Sequence, residues 1–201
     1  MTAGTTLAKL DRALEDDLDR SDRGWTWLVE TLEATREDYI HLLVVTYGFE
    51  APYDAACAYT PGLGQLIDLR GRWRSGLIAQ DLLALGWTPE QITSLKYREL
   101  AMFDDAAEAI GWMYVVERST LIHEAVRLEL LNRWADFLPA CVYLGAYGRV
   151  ASKRRAELGI ALDRLCSNDE VFDRVHMAAR DASDALLAWH RTNQVGLRRV
   201  G

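Results

Sequence analysis

The chain has 201 residues, which is enough for one domain with a sizeable core. Half of its residues are hydrophobic and 26% are charged, and the net charge of −7 argues against a general nucleic-acid-binding surface. The cysteines are odd in number and lack the spacing of a metal site. No segment has the roughly 18 apolar residues of a membrane span, and the first nine residues lack the apolar core of a signal peptide. We therefore expect a cytoplasmic protein that does not bind membranes.

Apolar residues recur at helical spacing along the whole chain, beginning with a stripe of leucines at positions 7, 10, 14 and 18. Ser21-Asp22-Arg23-Gly24 is expected to end this first helix, and a short helix is expected over 25–33. Thr35 and Asp38 form a predicted capping box, although Asp replaces the usual Glu or Gln. This box predicts the start of a long helix that runs through Tyr47.

Further start and stop signals divide the rest of the chain. Pro61 and Gly62 predict a break, Ser75 is a predicted N-cap, and Thr88 with Pro89 is a strong helix start. The pattern then predicts helices over 104–134 and from 139 towards 165. A capping box of Ser167 and Glu170 would open a last helix ending near residue 192. We expect about eight helices without a sheet, in one domain over residues 1–195, with a flexible tail over 196–201.

The common motifs of enzyme chemistry are absent from the sequence. There is no phosphate-binding loop, no HExxH and no GxSxG. The four histidines, which are His41, His123, His176 and His190, show no ligand pairing at helical spacing. A Glu-x-x-His repeat, typical of di-metal helical bundles, is also missing.

One segment resembles a known family. The run Gly-Trp-Met-Tyr-Val-Val-Glu-Arg-Ser-Thr-Leu over 111–121 is similar to the distal-helix signature of bacterial, biliverdin-forming haem oxygenases, roughly G-x-x-Y-V-x-E-G-S-x-L-G-G. The segments 39–54 and 75–86 resemble two further stretches of that family, and Tyr147-Gly148 matches another. In order and spacing, these similarities extend from about residue 7 to residue 190.

The resemblance implies an all-α, haem oxygenase-like bundle with haem as cofactor. In that family a histidine of the first helix ligates the haem iron, and glycines of the distal helix allow the backbone to approach the other haem face. The cofactor carries the oxidation chemistry, while the protein supplies ligation, orientation and exclusion. The candidate pocket residues that follow from the alignment are Leu18, Tyr114, Glu117, Arg118, Ser119, Ile122 and His123.

The sequence departs from the family on both sides of this pocket. Leu18 stands where the iron-ligating histidine is expected, and no histidine precedes His41. Arg118, Ile122 and His123 replace the three distal glycines, and Ser119 stands where some members carry an acid. Because glycine serves at sites of close approach, these side chains would project into the haem volume. Their better helix propensity also predicts a straighter distal helix.

Three functional hypotheses follow. The first is a non-catalytic member of the family that acts as a binding or regulatory module for a small ligand, a tetrapyrrole or another molecule, with a homodimer possible. The second is an active haem oxygenase that forms biliverdin, CO and iron. In such an enzyme, His123 would be the ligand of the haem iron and Arg118 would bind a haem propionate. Alternatively, His123 fills the cavity and Arg118 pairs with Glu117 or Glu124.

The third hypothesis is a helical interaction protein or a di-metal oxidase. An interaction protein would present an exposed apolar patch, which we would expect near Trp25 and Trp27. A di-metal oxidase would contain bound iron or manganese.

Overall fold

The structure, a computed structural model, describes residues 5–194. This part of the chain is all-α and contains no strand, as predicted. The predicted flexible tail over 196–201 lies outside the described residues. None of the helices in the described part is both long and apolar enough to cross a membrane. Seven helices have ten or more residues, and shorter helical turns join them: α1 Thr5–Glu30, α2 Arg36–Ala58, α3 Leu63–Leu66, α4 Ser75–Ala84, α5 Pro89–Thr93, α6 Ala106–Val116, α7 Thr120–Arg133, α8 Val142–Gly145, α9 Ala151–Leu165 and α10 Asp169–Thr192.

The first helix does not end at 21–24, so the predicted stop and the separate helix over 25–33 were wrong. Helix α1 continues because its buried stripe continues, from Leu18 through Ser21 and Asp22 to Trp25 and Leu28. These residues lie three or four apart and therefore share one face of the helix.

Helix α2 begins at the predicted capping box. The Thr35 side chain accepts a hydrogen bond from the Asp38 backbone N, and the Asp38 carboxylate accepts one from the Thr35 backbone N. The helix also continues through Pro52, which has no N–H to donate to the carbonyl of Gly48. The Arg98 backbone N donates to that carbonyl instead, at 2.8 Å, so the helix keeps its backbone bonding across the proline.

Two other helix starts are stabilised by carboxylates that are distant in the chain, and at α4 such a carboxylate replaces the predicted cap, Ser75. Ser75 is the first residue of α4 and does not cap it; the Asp54 carboxylate of α2 accepts from the backbone N of Arg74 and of Ser75 at 3.1 and 2.9 Å. Similarly, the Asp81 carboxylate accepts from the backbone N of Val142 and Tyr143, at the start of α8.

The two long helices predicted in the second half of the chain are both interrupted. Residues 117–119 form a turn between α6 and α7. The expectation of a straighter distal helix was therefore wrong. The stretch from 139 to 165 forms the end of a 3-10 helix, Ala135–Ala140, then α8, a second 3-10 helix at Gly148–Val150, and α9. The longest of these helices, α9, covers only the second half of the expected helix.

The start signals at Thr88 and near residue 168 had different outcomes. Thr88 caps α5 in a complete capping box with Gln91, as predicted. The last helix is capped by Asn168, whose side chain accepts from the Val171 backbone N, so the predicted Ser167 cap was wrong. That helix, α10, ends at Thr192 as expected.

The helices enclose two cores. The first lies between α1, α2, α6, α9 and α10, and includes Leu18, Phe49 and Trp112. The second lies between the end of α1 and helices α2, α4, α7 and α8. Trp25 and Trp27 belong to this second core, which contradicts the expected exposed patch around them.

The closest helix pair in the first core is α6 against α10, and Gly111 sets their distance. A Cβ at Gly111 would lie 2.6 Å from the Val175 carbonyl oxygen and 2.7 Å from the Ala178 Cβ. These are backbone and short side-chain atoms that cannot rotate away. A side chain here would therefore push the two helices apart.

We predict that Gly111→Ala lowers the free energy of unfolding by about 1–3 kcal/mol, because the helix pair must separate. Gly76→Ala is the matched control, since a Cβ there meets nothing within 4 Å in the first turn of α4. The control should be neutral or slightly stabilising. Urea unfolding followed by circular dichroism measures both, and equal stability of the two variants would contradict the prediction.

Candidate functional site

Leu18 lies on the buried face of α1, and only 2% of its surface is exposed. It packs in the first core and also forms part of the wall of two adjoining spaces, a surface groove and a buried cavity. Its side chain has no donor atom for a metal. The position that the resemblance assigns to the iron ligand is therefore apolar and packed.

His123 is buried between two aromatic rings. Its ring centroid lies 5.1 Å from that of Trp25 and 5.0 Å from that of Tyr143. Burial, assisted by the positive charge of Arg74, holds the pKa of His123 well below its usual range, so the imidazole is neutral. Its Nε2 has no hydrogen-bond partner among the described residues. This is the packing expected of a side chain that fills space.

Arg118 does not pair with either of the acids expected from the sequence. Its guanidinium lies 3.4 Å from the Asp22 carboxylate and 4.0 Å from that of Asp19, both on α1. Glu117 binds Arg72, and Glu124 binds Arg127 three residues further along α7. Arg118 does not pair with the expected acids because each of them already forms an ion pair with another arginine.

Three further residues predicted to line the pocket, Tyr114, Ser119 and Ile122, have different roles. The Tyr114 hydroxyl donates to the Asp11 carboxylate at 2.9 Å, and Arg155 pairs with the same carboxylate. Ser119 lies in the turn between α6 and α7 and lines the buried cavity. Ile122 points away and packs against the second core.

A groove of about 540 Å³ opens on the surface between α1, the start of α7 and α9. Its lining combines arginines, acids and a few apolar side chains: Ala8, Asp11, Arg12, Glu15, Leu18, Asp19, Arg118, Leu121 and Arg155. The volume lies within the range of small-molecule sites. The groove is therefore large enough for an organic ligand held partly in solvent.

A much smaller cavity, of about 30 Å³, lies behind the groove. It has room for two or three water-sized groups. Its polar lining comes from five elements and includes Asp22, Thr46, Glu50, Ser119, Tyr143 and His190. Leu18 and Arg118 line both the cavity and the groove, so these two side chains form the wall between them.

The described residues do not fit a haem group. Leu18 offers no ligand atom, and His123 is covered by Trp25 and Tyr143. The enclosed space next to Leu18 is about 30 Å³, and the larger space lies open on the surface. Among residues 5–194 there is also no group of three or more His, Cys, Asp or Glu that could hold a metal ion.

The most polar part of the interior was not predicted from the sequence. Arg74, just before α4, is completely buried, and its Nη2 donates to Glu50 at 2.8 Å and to the Val116 carbonyl at 3.0 Å. The Tyr143 hydroxyl donates to the same Glu50 oxygen, Oε1, at 2.6 Å. Asp54 accepts from the backbone of Arg74. These residues connect α2, α4, α6 and α8.

A second buried arginine extends this network. The Arg72 Nη1 donates to the Glu117 carboxylate at 2.6 Å, and the Tyr147 hydroxyl donates to the same carboxylate at 2.7 Å. The Arg72 Nη2 donates to the Arg154 carbonyl and to Glu157 on α9. Glu117, predicted as a pocket residue, is therefore engaged in a structural contact and lines neither the groove nor the cavity.

Burial changes the protonation of the acids in this region. Burial raises the pKa of Glu50 to about 7, although the charge of Arg74 opposes the shift. Burial also raises the pKa of Asp22 to about 6, against the opposing charge of Arg118. Glu50 therefore exchanges its proton near neutral pH.

Sequence reasoning missed this network because the partners are far apart in the chain. Two signals for it were present: the run Arg-Gly-Arg-Trp-Arg over 70–74, and the acids Glu50 and Asp54 one helical turn apart in an apolar stretch of α2. Neither signal identifies which acid meets which arginine.

Comparison with known proteins gives no further assignment, since no protein-family model, curated protein or solved structure matches the chain.

We predict that Arg72→Met lowers the free energy of unfolding by about 3–5 kcal/mol, because it leaves the buried Glu117 carboxylate without its cation. Arg70→Met is the control: Arg70 forms an exposed pair with Asp68 and is 92% exposed, so its loss should cost at most about 1 kcal/mol. Denaturant unfolding at neutral pH measures both. Similar losses in the two variants would contradict the buried pairing.

We also predict that Glu50 makes the fold less stable as the pH rises. The pKa of Glu50 is higher in the folded state than in the unfolded chain, so its contribution is complete below about pH 4.5 and is lost as the pH rises through about 7. Glu50→Gln should reduce the loss of unfolding free energy between about pH 5 and pH 8 by about 1–3 kcal/mol. The control is Glu15→Gln on the exposed side of α1. An unchanged pH profile in Glu50→Gln would contradict the assignment.

Proposed function

We propose that this chain is a haem oxygenase-like helical protein that does not cleave haem and that binds a small organic ligand in the groove between α1 and α7. The observation that supports this proposal is the position of Leu18 and Arg118. They correspond to the iron-ligand site and to a distal glycine in the resemblance, and they line the same groove. The groove thus lies where the family's ligand would be expected, without the residues that the family uses for haem.

The side chains of the groove favour a ligand with an apolar body and carboxylate groups. Leu18 and Leu121 offer apolar surface, while Arg12, Arg118 and Arg155 offer guanidinium groups. A planar guanidinium forms two parallel hydrogen bonds to a carboxylate. A linear tetrapyrrole such as biliverdin has this combination of an extended apolar body and two carboxylates, so it is the first candidate to test.

Arg118 is only weakly held by the protein and is partly open to a ligand. It is 25% exposed, and its contacts with Asp22 and Asp19 are 3.4 and 4.0 Å long. A ligand carboxylate that binds Arg118 replaces contacts that are already weak. Binding at this residue therefore costs little in lost protein contacts.

We predict that biliverdin binds the wild-type protein in a saturable manner, with a change in its visible spectrum. Arg118→Ala should weaken binding by about ten- to a hundredfold, the effect of removing one hydrogen bond to a charged group. Arg36→Ala is the control, since Arg36 pairs with Asp136 away from the groove. Hemin should give neither a sharp Soret band nor conversion to biliverdin when a reductant and oxygen are supplied.

Two outcomes would overturn this proposal. A stoichiometric hemin complex whose sharp Soret band is lost in His123→Ala would favour the active haem oxygenase with an unusual ligand. The absence of binding by both hemin and biliverdin would remove the tetrapyrrole class of ligand.

A further inference from the structure

The buried network around Arg74 holds one carboxylate more than its arginines balance. Arg72 faces Glu117, and Arg118 faces Asp22. Arg72 and Arg118 each reach a second acid as well, but these acids, Glu157 and Asp19, are 35% and 69% exposed and remain in contact with water. Arg74 faces two acids that are both buried, Glu50 through its side chain and Asp54 through its backbone N. Glu50 and Asp54 are 4% and 8% exposed, so neither is stabilised by bulk water. A buried excess charge is costly and must be neutralised by a proton or by a cation.

Glu50 presents a free hydrogen-bond acceptor at this place. Its Oε1 accepts from both Arg74 and Tyr143, whereas its Oε2 is buried and has no partner among the described residues. Glu50 also lines the cavity of about 30 Å³. A buried acid with one unpartnered carboxylate oxygen thus lines a cavity that can hold two or three water-sized groups.

We propose that this cavity binds the head of a primary amine, whose ammonium group donates a hydrogen bond to Glu50 Oε2 and supplies the missing positive charge. An ammonium group is similar in size to one water molecule, so the head and its first methylene group fill the space. The site adjoins the groove, and the proposal does not require the ligand proposed for the groove.

The rest of the lining suits an ammonium group with a short apolar chain. Further acceptors around the cavity include the hydroxyl of Thr46 and the carboxylate of Asp22, and Phe49 and Leu186 provide apolar surface. A group without N–H donors, such as a quaternary ammonium, cannot satisfy Glu50 Oε2 and is too large for the volume. The cavity therefore distinguishes primary amines from fully alkylated ones.

The entrance to the cavity is the wall formed by Leu18 and Arg118. Because Arg118 is partly exposed and its contact with Asp22 is 3.4 Å long, its side chain can move aside without unfolding a helix. The rest of the amine then extends into the groove. Acids at the mouth, among them Glu15 and Asp19, attract a cation towards it.

Binding of the amine should be linked to the release of a proton. The charged and titratable groups that act on Glu50 are Arg74, Asp54, Tyr143 and Glu117, and those across the cavity are Asp22, Arg118 and His190. An ammonium group favours the ionised form of Glu50, whose pKa is raised to about 7. Below that pH the amine must displace a proton, so its affinity falls by up to about tenfold for each pH unit.

The test is calorimetric titration of the full chain with n-propylamine at about pH 8, where this amine is still charged. We expect one amine per chain in the wild type, at least about tenfold weaker binding at pH 6, and at least about tenfold weaker binding in Glu50→Gln. Glu33→Gln, which changes an exposed acid that lines neither the groove nor the cavity, should bind as the wild type does. Tetramethylammonium should not bind.

Wild-type affinity in Glu50→Gln, equal affinity for tetramethylammonium, or no binding of n-propylamine would each overturn the proposal. A second measurement uses only the wild type and holds if Glu50→Gln fails to fold. Titrations near pH 7 in two buffers of different ionisation enthalpy should reveal a proton released on binding, and the absence of release would also overturn the proposal. Amine binding without biliverdin binding would reject only the function proposed for the groove.

Discussion

The fold depends on the need to pair two buried guanidinium groups. Arg72 and Arg74 lie in the turn before α4, and their charged groups are almost fully enclosed. A buried arginine without an anion is strongly unfavourable, so each partner must be held in place. Arg74 requires Glu50 of α2 and the Val116 carbonyl of α6, and Arg72 requires Glu117 and Glu157 of α9. The arrangement of these helices is thereby fixed around one short turn.

The same pairing explains why the distal segment breaks. In a continuous helix the Val116 carbonyl would accept from the Thr120 backbone N. Here Arg74 donates to that carbonyl, and Thr120 bonds to Glu117 instead, with its backbone N at 3.2 Å and its hydroxyl at 2.6 Å. Helix propensity of the residues that replace glycine, a few tenths to about 1 kcal/mol each, is too small to oppose a buried charged hydrogen bond.

Local sequence signals predicted those parts of the fold that local interactions determine. The capping boxes at Thr35 and Thr88 bond within one helical turn, and both were found as predicted. The start of α4 near Ser75 was predicted but its cap was not, because the cap comes from the distant carboxylate of Asp54. The start of α8 was not predicted, and there the distant carboxylate of Asp81 accepts the backbone N–H groups. In the candidate site, Leu18 and Arg118 do meet at one groove, whereas the pairing of Glu50 with Arg74 has no local signature.

The three residues that the resemblance aligns with distal glycines have different physical roles, so they do not line one pocket together. Ile122 packs in the second core, and His123 is a neutral ring between Trp25 and Tyr143. Arg118 alone remains at the boundary between water and the interior, where it faces Asp22. An apolar residue at position 118 would leave the buried Asp22 without a cation. Arg118 therefore separates the groove from the cavity and, through its contact with Asp22, also links α1 to the start of α7. A ligand that moves Arg118 must therefore offer it another anion or leave Asp22 protonated. Protonation of Asp22 is easier than protonation of an exposed aspartate, because burial raises the pKa of Asp22 to about 6.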